Sequence, residues 1–319
     1  MKNLLKIRKL AFIALFALIG TSCNDDDNEV APVDNTITGI ATRNANLSIL
    51  VQALLKADLA TTLQGSGQFT VFAPTNAAFT SFLSDNGFAT LDDVPTATLK
   101  EILLNHVVSG SFQSTVLSTG YIKTLAKGSA SDINTLSLFV NTASGVKLNG
   151  VATVTTADVT ASNGVIHIVD KVIGLPTIVT HATANPNFTS LVAALTSAGQ
   201  PDFVSILSGV GPYTVFAPTN AAFTALDAEL APGGIAGVSN ANLTKVLQYH
   251  VANGNVLAAS LTEGQMVSTL LTPQTFTIQL TDGAKIMDVN NRLSNIIATD
   301  VQCANGVIHV LDKVLLPAF

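Results

Sequence analysis

Thr70–Thr80 reads TVFAPTNAAFT, and Thr214–Thr224, 144 positions later, reads the same eleven residues. Two more landmarks keep nearly that offset. LLNHVVSG around His106 matches VLQYHVANG around His250 at 144, and NGVIHIVDKVIGLP from Asn163 matches NGVIHVLDKVLLP from Asn305 at 142. An offset that drifts by only two residues leaves little room for insertions, so the chain holds two copies of one compact module of about 140 residues. Within each copy helical and strand patterns alternate. Leu47, Leu50, Val51, Leu54, Leu55 and Leu59 fall at helical spacing, as do Phe188, Leu191, Val192 and Leu195. A short apolar strand ending at Pro74 or Pro218 follows. Thr75 or Thr219 is then placed to cap a helix that begins at Asn76 or Asn220. A second helix opens near Thr96 or Ser239 and carries Leu99, Ile102, Leu103 and His106, or Leu243, Val246, Leu247 and His250, on one face. The end of each module is β: 151–158 and 165–173 are joined through Ser162-Asn163-Gly164, a hairpin signal because Asn-Gly tolerates positive φ. Ala304-Asn305-Gly306 repeats it.

The amino terminus belongs to neither copy. Lys2, Lys6, Arg8 and Lys9 precede an apolar decamer, 10–19, and then Gly20-Thr21-Ser22-Cys23. This reads as a secretory signal peptide over 1–22, too short to span a bilayer. With Cys23 as the first mature residue it resembles a bacterial lipoprotein signal whose cysteine takes the lipid, although Gly20 stands where a leucine is usual. Residues 23–34 begin Cys-Asn-Asp-Asp-Asp-Asn-Glu and read as an acidic tether. They also resemble the acidic export signal that some Gram-negative bacteria place behind a lipidated cysteine. The expectation is an outer-membrane lipoprotein exposed at the cell surface, with membrane contact through the lipid anchor alone.

Of the 15 basic residues the leader carries four, and of the 21 acidic residues none, so the mature chain keeps 11 against 21, a net charge of −10. That balance excludes nucleic acid as a partner, since binding it requires clustered Lys and Arg against phosphates. Cys303 is the only cysteine besides Cys23, so stability must come from apolar cores, which a 48% apolar composition supplies.

FTVFAPTNAAF, a histidine near the end of a mid-module helix, and ASNGVIHIVDKV at the module's end resemble the motif blocks of the fasciclin (FAS1) domain family, present here twice. The resemblance spans 35–175 and 177–319. It implies an α+β fold in which each domain is a β-wedge of about seven strands with packed helices. It also implies a role in adhesion, matrix contact or surface association, with a protein or extracellular-matrix partner and no cofactor. In that family a Tyr-His pair has been linked to integrin-type adhesion, and Tyr249-His250 matches it; the first copy has Asn105-His106 instead.

The remaining chemistry is weighed residue by residue. A metal reading joins His250 and His309 with Asp300 or Asp312, but no HxH or HExxH pair accompanies them. His106, His167, His250 and His309 all lie in apolar segments, where a buried imidazole bonded to backbone is the ordinary role. Asp158/Asp300 and Asp170/Asp312 flank the hairpin in both copies, and hairpin-end carboxylates ordinarily accept backbone N–H bonds. Nucleophile-elbow, Walker and dinucleotide motifs are absent, so no enzyme is expected. Thr75, Asn76, Asn163, Thr219, Asn220 and Asn305 read as structural repeat motifs, and His181 has no counterpart and no evident role. Two function classes follow: a surface adhesion or interaction protein, and a glycan-binding accessory protein of a polysaccharide-processing surface system. Sugar platforms favour flat aromatics, and a chain with no Trp and three Tyr argues for the first.

Overall fold

The computed structural model describes residues 33–319; the leader, Cys23 and most of the acidic tether lie outside the described residues. In the first repeat the helices are α1 (Ile37–Arg43), α2 (Ser48–Lys56), α3 (Asn76–Asp85) and α4 (Thr96–Leu104). Its strands are β1 (Phe69–Pro74), β2 (Val107–Ser109), β3 (Gly120–Gly128), β4 (Ser131–Asn141), β5 (Lys147–Leu148), β6 (Ala152–Ala161) and β7 (Gly164–Val169). The second repeat follows with α5 (Ile178–Ala184), α6 (Thr189–Leu195), α7 (Phe203–Ser208), α8 (Asn220–Glu229) and α9 (Asn240–Tyr249). Its strands are β8 (Tyr213–Pro218), β9 (Val251–Asn253), β10 (Met266–Ser268), β11 (Thr275–Gln279), β12 (Lys285–Met287), β13 (Leu293–Cys303) and β14 (Gly306–Leu311).

Each repeat builds one seven-stranded sheet, in the order β2-β1-β7-β6-β5-β4-β3 and β10-β11-β12-β13-β14-β8-β9. In each, the second and third strands from one edge form a parallel pair. Phe69 to Pro74 run beside Gly164 to Val169, and Tyr213 to Pro218 beside Gly306 to Leu311. The two sequence blocks that repeat best are therefore neighbours in space. Alternation along β1 sends Val71 and Ala73 into a core with the helices, and Phe72 into a second core with Leu138, Val140 and Leu148 on the other face. Val215, Ala217 and Phe216 divide in the same way.

The turn that starts the inner strand is held by an asparagine. Asn163 Oδ1 accepts from Ile37 N at 2.9 Å, and its amide donates to Leu63 O at 2.7 Å and Gly65 O at 3.0 Å. Asn305 makes the same three bonds, with Ile178 N at 3.1 Å and with Leu207 O and Gly209 O at 2.8 Å each. One buried amide thus ties the first helix, the loop before the first strand and the hairpin together. Positive φ at Asn163, the reason the sequence suggests a turn there, does not occur: the left-handed non-glycine residues of this hairpin and its twin are Asp158 (φ 62°) and Asp300 (φ 56°). They sit where the pairing of β6 with β7, and of β13 with β14, slips its register. Gly164 and Gly306 are required by close approach, because a Cβ would lie 1.9 Å from Phe69 O or 2.0 Å from Tyr213 O.

The helix starts follow the caps. Thr75 Oγ1 accepts from Ala78 N and Thr219 Oγ1 from Ala222 N. Asn76 and Asn220 reach across to another helix: Asn76 Oδ1 accepts from Ile49 N at 2.9 Å and Asn220 Oδ1 from Ser190 N at 2.9 Å, satisfying free donors in the first turns of α2 and α6. Three pattern expectations differ in detail. Leu55 is 65% exposed, α2 ends before Leu59, and β7 stops at Val169 because the chain then leaves the sheet to run past His106.

Removing the Asn305 side chain orphans three backbone groups at about 1 to 3 kcal/mol each. Asn305→Ala is therefore expected to destabilise the protein by about 3 kcal/mol or more in urea unfolding, whereas Asn187→Ala, on the surface, should stay within about 0.5 kcal/mol. Equal midpoints for the two variants would contradict the stapling role.

Candidate functional site

The motif histidines lie deep in the fold. His106 and His250 stand just past the ends of α4 and α9, and each folds back so that Nδ1 meets the carbonyl four residues earlier, Ile102 O or Val246 O, at 2.7 Å. Their Nε2 atoms accept from Ile173 N at 2.8 Å and Leu315 N at 3.0 Å. One nitrogen must donate and the other must accept, so both rings are held neutral. Burial pushes each pKa down to about 4. His167 and His309 stack on Phe72 and Phe216, with centroids 5.5 and 5.3 Å apart, and their Nε2 atoms face Phe112 O and Val256 O at 2.8 Å each. These four rings are braces between a strand or helix end and the chain crossing it.

Tyr249 is fully buried; its hydroxyl donates to Thr275 O at 2.8 Å, and burial raises its pKa to about 12. Its ring meets Phe276 edge-on. The Tyr249-His250 pair therefore points into the second domain's core and presents neither ring to a surface partner. Asn105, the matching residue of the first copy, is equally buried and donates to Gly174 O at 2.9 Å.

A serine, an aspartate and a histidine do meet in the first domain. Ser114 Oγ donates to Asp158 Oδ2 at 2.5 Å, Ser114 N to Oδ1 at 2.7 Å, and Asp158 N to His167 Nδ1 at 3.2 Å. The order is wrong for nucleophilic catalysis: the hydroxyl is spent on the carboxylate, which its bonds hold below the usual range, and Nε2 faces a backbone carbonyl. In the second copy Ala258 replaces the serine and only its N–H reaches Asp300. Asp170 and Asp312 accept from Thr153 N and Asn295 N at 2.7 Å each, closing the far end of the hairpin. Among the described residues no group of three or more His, Cys, Asp or Glu is placed to hold a metal ion.

His181, which the sequence left without a role, lies at the joint between the repeats. It is fully buried in α5 with its ring edge-on to Tyr121 of β3 at 5.3 Å, and burial lowers its pKa to about 3. Around it the β3–β4 hairpin of the first repeat docks on the β13–β14 turn of the second. Lys123 Nζ donates to Asp300 O at 2.8 Å, Gln302 N to Ser137 Oγ at 3.0 Å, Ala130 N to Ala304 O at 2.8 Å, and Asn185 to the Tyr121 hydroxyl at 3.2 Å. Gly128 lies so close to Ala304 Cα that a Cβ there would stand 2.4 Å away. The joint is a sealed contact and extends well beyond the Gly174-Leu175-Pro176 link.

The two repeats that build these sheets match a known domain model, that of the fasciclin domain, at residues 45–176 and 186–317. The chain belongs to the fasciclin domain family. Its fold is similar to that of a FAS1 domain pair from the insect cell adhesion molecule fasciclin I, with TM-score 0.52 and 19% identity over 85% of this chain and 97% of that one. Protein sll1483 of Synechocystis sp. is 42% identical over 141 residues, 44% of this chain and 73% of that protein. Transforming growth factor-beta-induced protein ig-h3 of Sus scrofa and human periostin are each 30% identical over 80% of this chain, which spans only 35% and 29% of their lengths.

The buried FAS1 histidines make stability depend on pH. His106, His181 and His250 have folded pKa values depressed below the ordinary 6.5, so the unfolded chain binds more protons. Their contribution is complete above about pH 6.5 and is lost as pH falls toward 4, at up to about 1.4 kcal/mol per pH unit for each ring. Urea unfolding between pH 7.5 and 4.5 should show that loss. His250→Gln should flatten the slope by about one proton, and His250→Ala should cost about 1 to 3 kcal/mol at neutral pH. An unaltered slope in His250→Gln would contradict the neutral-brace assignment.

Proposed function

We propose that this protein is a non-catalytic adhesion or interaction lipoprotein, anchored through Cys23 and presenting its two FAS1 domains to a protein or matrix partner. The observation that carries the reading is the family membership of both repeats, joined to the way their motif side chains are used. The histidines, hairpin aspartates and asparagines of the repeated blocks are engaged with backbone, which leaves recognition to the loops and strand edges that vary between copies. The likeness in fold to a domain pair from a cell adhesion molecule supports the same reading. The leader over 1–22, the cysteine at 23 and the acidic run behind it support export and lipid attachment, with the tether holding the pair away from an outer-membrane surface. With a net charge of −10 after leader removal, like-charged polyanions are poor partners.

The test uses intact cells carrying the full-length protein or its Cys23→Ala variant, probed with external protease and antibody, with metabolic labelling by a palmitate analogue. Labelling and external exposure that both depend on Cys23 are the expected result. A wild-type protein protected from protease in intact cells would exclude cell-surface adhesion.

A further inference from the structure

The two repeats share a scaffold, so each serves as a reference for the other, and they differ at one helical corner. In the first domain the short helical turn Leu91–Asp93 between α3 and α4 is clamped down. Lys56 Nζ, at the end of α2, donates to Leu91 O, Asp92 O and Val94 O at 2.8, 2.8 and 2.9 Å. The Phe88 ring packs on the cluster that holds Phe79, Val94 and Leu99, leaving Val94 at 1% and Leu99 at 0% exposure. Neither clamp exists in the second domain. The residue in step with Lys56 is Ser197, which only reaches back to Ala194 O, and the residue in step with Phe88 is Pro232. Val238 and Leu243, the counterparts of Val94 and Leu99, are left partly exposed.

The result is a pair of clefts on either side of the turn Ile235–Gly237, of about 500 and 370 Å³. Phe223, Ile235, Val238 and Leu243 line both, and Leu226 adds to the second. Volumes of this size, with apolar side chains beside a few polar ones, suit a small ligand. Among the described residues lining them, one is charged: Asp227, in the larger cleft. Its Oδ1 accepts from Ile235 N at 2.8 Å, while Oδ2 makes no hydrogen bond among the described residues.

We infer that the second FAS1 domain binds a small aromatic amine, its ring over Phe223, Val238 and Leu243 and its ammonium on Asp227. The ring's place follows from the first domain, which covers the same core positions with its own Phe88. The amine follows from charge complementarity to Asp227, the one charged side chain lining the clefts among the described residues, which is exposed and keeps Oδ2 free of hydrogen bonds.

The mature chain is titrated by calorimetry, with NMR shift mapping, against phenethylamine, neutral 2-phenylethanol and anionic phenylacetate. Saturable binding that weakens in that order is expected, with shifts confined to the second domain. Ser197→Lys combined with Pro232→Phe transplants both clamps and should weaken phenethylamine at least about tenfold. Asp227→Asn, which keeps an acceptor for Ile235 N, should abolish the preference for the amine while 2-phenylethanol still binds, which reports that the cleft remains folded. No phenethylamine binding, equal affinity for all three probes, unchanged binding in the clamped variant, or shifts in the first domain would each overturn the site.

Discussion

The parallel pairing of β1 with β7, and of β8 with β14, is the constraint on which each domain depends. Two strands separated by about a hundred residues of chain have no short connection to set their register, so the register must be fixed by side chains. Asn163 and Asn305 do this at one end, where a single amide satisfies one donor and two acceptors from otherwise unpaired loops. Gly164 and Gly306 allow the backbones to meet there, and Thr75 N and Thr219 N close the other end on Val169 O and Leu311 O. Once the pair is in register, Phe72 and His167, or Phe216 and His309, are forced to stack. The two cores on opposite faces of the sheet follow from strand alternation alone.

Seen this way, the strict repetition of TVFAPTNAAFT and NGVIH reflects mechanical duty. Apart from the exposed Ala77 and Ala221, the positions in those blocks face a core, cap a helix or bond to backbone. Such positions tolerate little change because leaving a buried polar group unpaired costs more than most surface contacts contribute. The copies part company elsewhere. The joint uses residues whose counterparts do other work: His181 stands in step with Ile40 of α1, and Gln302 N borrows the hydroxyl of Ser137 from the other repeat. The open corner of the second domain is another divergence, where Ser197 and Pro232 stand in step with Lys56 and Phe88.

Much of the fold was legible because its signals are local. The caps at Thr75 and Thr219, the hairpin ahead of Gly164 and Gly306, and the α2 apolar stripe all depend on residues a few positions apart. The seven-stranded wedge itself came from family resemblance, since no local pattern states that 69–74 lies beside 164–169. The asparagine staples are hidden for the same reason: an Asn-Gly pair signals only local φ, whereas the importance of Asn163 lies in partners about a hundred residues away. His181 illustrates the limit of comparing repeats, since a residue without a counterpart gives no internal standard. The clefts were present in the sequence only as Lys56 against Ser197 and Phe88 against Pro232, differences that acquire meaning once Val94 and Val238 are seen at unequal burial.

Burial of neutral histidines also bears on where such a pair can work. A ring whose only room is as a donor to one carbonyl and an acceptor from one N–H cannot take a second proton without losing the latter bond. His181, fully buried against Tyr121 at the joint with neither ring nitrogen hydrogen-bonded among the described residues, adds a desolvation penalty of its own on protonation. Acidification therefore acts on the cores and the joint together. It does so before the exposed carboxylates that set the net charge are neutralised, because a histidine's ordinary pKa lies about two units above theirs. Close to pH 7 the buried rings of His106, His181 and His250 are uncharged, and the cores and the joint between the repeats keep their packing together.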